Sequence, residues 1–141
     1  MVGALIGMAA LAIAAVLLVW WQWQQAEQKV LEEQVTQAET IRGLLERSRA
    51  AGRLEEADVE AIVRRAEGGE LYSMTERADD IYIVARVGAH GRPAFGVPGL
   101  DYACFGFNVP VFSAPVTIER LSPEEGYGWP DECRSGEPVV E

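Results

Sequence analysis

The first 26 residues carry no charge, and within them Met1–Trp21 is one unbroken apolar run containing two glycines. No other feature limits the chain so strongly. As a helix rising about 1.5 Å per residue, the run is long enough to cross a bilayer core of roughly 30 Å. It shows neither the basic n-region nor the small-residue cleavage site of a secretory signal. It also has no basic flank of the kind that orients an ordinary anchor. Two expectations follow: the run is a blunt membrane anchor, or it is the processed start of a mature chain.

Because residues 1–26 are uncharged, all 12 basic and 22 acidic residues fall in 27–141, which therefore carries the whole net charge of −10. That balance argues against nucleic-acid binding, which needs clustered Lys and Arg to neutralise phosphate. It argues equally against a polybasic membrane-surface patch. It suits an exterior that repels its own copies until something specific assembles them. The 141 residues leave enough chain beyond Gly52 for one small domain and not for two.

The helical pattern continues through residues 22–51, where Gln, Glu, Ala, Leu and Arg, all good helix formers, dominate. Leu31, Val35, Ala38, Ile41 and Leu45 recur at three- and four-residue spacings and predict one apolar stripe. The stripe reads as the face of a helix laid against its own domain, or as a coiled-coil seam barely two heptads long. Gly52 reads as the end of the helix. Residues 54–67 read as a second, short helix stopped by Gly68 and Gly69.

From Asp80 the period changes to two. Ile81, Ile83, Ala85 and Val87 alternate with Tyr82, Val84 and Arg86, which predicts a strand. Residues 88–93 read as a turn. Ala103, Phe105, Phe107, Val109 and Val111 make a second alternating set, ended by Pro110. Residues 116–121 make a third strand, and 122–141 an irregular tail rich in acids and proline. The expected architecture is α+β. A hydrophobic helix over 1–26 continues as an amphipathic helix over 27–51. An acidic domain over 52–141 then carries an antiparallel sheet within about 80–121.

The cysteines, Cys104 and Cys133, read as one disulfide of an oxidising compartment or as two separate buried thiols. The Pro/Gly/Asp-rich surroundings of Cys133 offer little apolar cover for a free thiol and favour the disulfide. The single histidine, His90, has no nucleophile that the sequence can assemble around it, and reads as an exposed turn residue. Asp79-Asp80 and Asp131-Glu132 lack the ligand spacing of a calcium loop and read as solvated pairs. There is no Cys/His metal spacing and no phosphate-binding glycine loop. An enzyme is not expected, nor is a cofactor. Trp20, Trp21 and Trp23 close the apolar run as an interfacial aromatic belt would. Gly3, Gly7, Ala10 and Ala14 place small residues every three or four positions, which lets apolar helices approach closely.

Taken in order, this pattern resembles a type IV pilin, and most nearly the type IVb and conjugative-pilus branch, in which the mature chain can begin with Met. Such proteins begin with an apolar helix segment, continue it as an amphipathic half packed on an antiparallel sheet, and commonly bracket a C-terminal loop with two cysteines. Met1–Trp21, Leu31–Leu45, Asp80–Leu121 and the pair Cys104 and Cys133 occupy those places here. The resemblance implies a structural subunit that waits in the inner membrane and is moved by a pilus assembly machinery into an extracellular homopolymer. The role implied is adhesion or conjugative contact. Met1, Gly3, Leu5, Gly7, Ala10, Ala14 and Leu17 would pack in the filament core. Most pilins carry a glutamate at the fifth mature position and many a proline about 22 residues in; this chain has Leu5 and Gln22. Register would then come from shape and small-residue packing. The competing expectation is a single-span inner-membrane envelope protein, of division or spanin type, acting through a periplasmic coiled coil in a fixed complex.

Overall fold

The structure is a computed structural model that describes residues 2–52, 54–91, 99–121 and Cys133; the side chains of residues 2–7, 9 and 10 are outside the description. One helix, α1, runs unbroken over Val2–Ala51. It is followed by α2 (Glu56–Val63), β1 (Glu70–Glu76), β2 (Asp80–His90), β3 (Leu100–Pro110) and β4 (Thr117–Leu121). The four strands form an antiparallel meander in the order β1-β2-β3-β4.

The sheet has two unlike faces because side chains alternate along each strand. Ile83, Ala85 and Val87 of β2 and Ala103, Phe105, Phe107 and Val109 of β3 meet Ala38, Ile41 and Leu45 of α1 and Val59, Ile62 and Val63 of α2 in the main core. Phe107, Ile83, Val59, Val63, Val87 and Leu45 are fully enclosed. On the outer face Val84, Cys104 and Cys133 make a smaller cluster, with Tyr72, Tyr82 and Leu121 around them. Burial there pushes the Tyr72 phenol above its ordinary value, against the opposing pull of the Arg86 guanidinium. Arg86 stacks 4.2 Å from the Tyr102 ring centre and pairs with Glu70 at 2.7 Å.

Several boundaries differ from expectation. The sequence places no strand before Asp80, yet β1 is there. Its period is broken by a β-bulge between Leu71 and Ser73. The bulge lets Leu71 and Met74, three residues apart, both pack on the main core. The expected helix over 54–67 is α2 alone, and its last residues form turns. Gly69 has no room for a side chain, since a Cβ would stand 2.0 Å from the Val63 carbonyl oxygen. Gly68 has φ +59 beside it, a conformation that glycine adopts without strain. The expected turn at Gly88 is strand instead: β2 continues to His90, fully paired with β3. Val111 lies outside β3 and is exposed. The tail over 122–141 is outside the description except for Cys133.

Two polar side chains near the end of α1 reach the β3–β4 connection. The guanidinium of Arg49 donates from one nitrogen to the carbonyls of Pro110, Phe112 and Ala114 at 3.0, 3.2 and 2.7 Å. Glu46 accepts the Val116 N–H at 3.2 Å. The helix end thereby holds the β3–β4 connection.

Candidate assembly surface

The domain covers α1 only from about Gln34 onward. Among the described side chains of α1 the buried ones are Gln34, Ala38, Ile41 and Leu45, spaced four, three and four apart as one helix face requires. Gln34 is the one polar residue buried among those described. Its amide nitrogen donates to the Asp101 carbonyl at 3.0 Å, and its Oε1 accepts from Arg120 at 3.3 Å. Those bonds close the docked stretch.

The expected stripe is thus divided. Ala38, Ile41 and Leu45 lie in the core, whereas Leu31 and Val35 are 40% and 43% exposed. Leu31 falls two turns before Ala38, beyond the cover of the sheet. Val35 is about 100° of helix rotation from Gln34. The sequence misses Gln34 because a glutamine carries no apolar signal, although its place in the 3–4 rhythm was there to be read.

N-terminal to the docked stretch most of the described side chains of the helix are exposed. Leu11, Ile13, Val16, Leu17, Leu18, Val19, Trp20, Trp21 and Trp23 are between 51% and 74% exposed, and Met8 is 70% exposed. Residues 16–21 are consecutive, so at about 100° per residue they point to every side of the rod. A single partner laid along one face could not cover them. Full burial of such a side chain is worth about 1.5–3 kcal/mol. For these ten the sum is on the order of 15–30 kcal/mol, more than the net stability of about 5–15 kcal/mol of an ordinary domain.

Of the residues expected in a filament core, Ala14 and Leu17 are exposed. Met1 and the side chains of Gly3, Leu5, Gly7 and Ala10 lie outside the described residues. Trp20, Trp21 and Trp23 are exposed at 59%, 56% and 57%. Among the described residues no helix is long and apolar enough to cross a membrane. The expected hydrophobic segment over 1–26 lies partly outside that description, which leaves out Met1 and the side chains of residues 2–7, 9 and 10. Cys104 and Cys133 are joined in a disulfide with their Cα atoms 6.3 Å apart, well within the span a disulfide bridges.

His90 ends β2 and is exposed, as the sequence suggests, but it has company. Glu33 of α1 and Glu67 of the α2–β1 connection bring a carboxylate each to its imidazole. The sequence hides this group, because its members are far apart in the chain and come from three different elements. Compared with family models, with curated proteins and with solved structures, the chain matches none.

Proposed function

We propose that this protein is a structural subunit that polymerises through the N-terminal half of α1 into a type IV-like extracellular filament. In this reading its precursor is held in the inner membrane, and assembly machinery delivers it to the polymer. The observation that carries the reading is the rod of apolar side chains from Leu11 to Trp21, exposed on every side of the helix. Such a surface needs cover all round. Lipid supplies it before assembly and identical helices supply it afterwards, so transfer from one to the other need not expose it to water. The acidic domain then coats the polymer. Adhesion or conjugative contact is the role this design serves.

A second reading rests on Leu31 and Val35, which remain exposed where the helix leaves the domain. They would seat a different chain if the protein were a fixed envelope component acting through a short coiled coil.

A photocrosslinking side chain at Leu17, and another at Val35, tests the two in the native host. A ladder of self-adducts from position 17, lost when Leu18→Glu is added, is expected for the filament subunit. Adducts to one foreign protein from position 35, with none to self from position 17, would sink it and support the fixed complex.

A further inference from the structure

We propose that Glu33, Glu67 and His90 form a surface site for a divalent transition cation, with Zn²⁺ the best match to its donors. The site does not depend on how the apolar rod is covered. Each residue offers one donor atom, and the three atoms lie within 4.8 Å of one another. The closest pair, His90 Nδ1 and Glu67 Oε2, is 3.0 Å apart. Donors around a tetrahedral Zn²⁺ stand about 3.3 Å from one another. Small side-chain rotations therefore close the set, with water completing the coordination.

The cluster is more than crowded surface acids. An imidazole shared with two carboxylates is a borderline donor set, suited to Zn²⁺ and its neighbours; calcium and magnesium prefer oxygen alone. The three residues come from α1, the α2–β1 connection and the end of β2, so no local charge run produces the cluster. Glu67 is also held on both sides by its own backbone. Its N–H donates to Gln37 Oε1 at 2.9 Å, and its carbonyl accepts the Gly88 N–H at 2.6 Å. The first bond fastens it to the helix that carries Glu33, and the second to the strand that carries His90. The two carboxylates bring negative charge that a divalent ion offsets.

The location gives the ion a task. Glu33 adjoins Gln34, where α1 leaves the sheet. A bound cation would tie the helix, the α2–β1 connection and β2 together at that exit, fixing the angle at which the apolar half departs.

The test is calorimetric titration of the oxidised full chain, in detergent micelles, with ZnCl₂ in a non-chelating buffer. His90→Ala and Glu33→Gln are titrated in parallel, and both are exposed or part-exposed changes that leave the core intact. We expect one Zn²⁺ per chain, at least a tenfold weaker affinity in each variant, and a melting temperature raised by Zn²⁺ in the parent alone. Absence of saturable binding, or binding unchanged in both variants, would overturn the site. Displacement of Zn²⁺ by equimolar CaCl₂ would overturn the role of the imidazole.

Discussion

At the scale of single residues, Gln34 does the most for its size. It is 2% exposed and spends both ends of its amide on partners 67 and 86 positions away in sequence. Such bonds contribute about 0.5–1.5 kcal/mol each, and a buried partner left without its mate costs more. Gln34→Ala should therefore lower stability by about 1–3 kcal/mol. In a domain of this size that is a fall in melting temperature of roughly 4–20 °C, read by circular dichroism. An unchanged melt would mean that the helix is docked by its apolar face alone. The glycines illustrate the opposite economy. Gly106 leaves space that the Tyr82 ring occupies, and the Tyr82 hydroxyl donates to Glu119 at 2.6 Å. None of these pairings is legible in the chain, because each depends on strand register rather than on residue type.

At the scale of elements, what the sequence reveals follows from periodicity. β2 and β3 are visible because apolar residues recur at every second position over Ile81–Val87 and Ala103–Val109. α1 is visible because helix formers run without proline from its first residues to Ala51. β1 is invisible for the reason that makes it useful: its bulge shifts the period by one, so Leu71 and Met74 stop looking like neighbours on a face. The short α2 is overestimated because the residues after Val63 turn within hydrogen-bonding distance of the helix without joining it. The disulfide is legible as a candidate and lies under the outer face of the sheet, with Val84, Tyr72 and Leu121 around it. It closes a separation of 29 residues, for which the chain-entropy model gives about 3–4 kcal/mol. Cys104→Ala with Cys133→Ala should lose about that much in urea denaturation. Amides of β2 facing α1 should keep their exchange protection. Loss of protection there instead would show that the two faces of the sheet do not melt separately.

At the scale of the whole molecule, the core begins at Gln34 and ends at Val116, with Cys133 pinned outside it. Among the described residues, none N-terminal to that stretch belongs to the buried core. A chain beginning at Glu27 should therefore remain folded, with a melting temperature within a few degrees of the parent, and should sediment as a monomer. The parent should require detergent or associate. A truncated chain that unfolds would place part of the domain's stability in the apolar half of the helix. The exposed apolar half of α1 was legible as an apolar run, since hydropathy needs no tertiary information. The cation cluster was not, since only the fold brings its three donors together.

One feature of α1 has a mechanical side. From Val2 to Glu33 the helix runs about 45 Å without a proline. It acts as a lever whose fulcrum is the Gln34–Leu45 seat. A tilt of about 5° at that seat sweeps the far end through roughly 4 Å, about three-quarters of the rise of one helical turn. A slight change in how a few side chains sit on the sheet is therefore magnified into a change of lateral address at the tip. The aim of the rod is set at the domain, by the packing of Ala38, Ile41 and Leu45 and by whatever clamps the helix where it emerges.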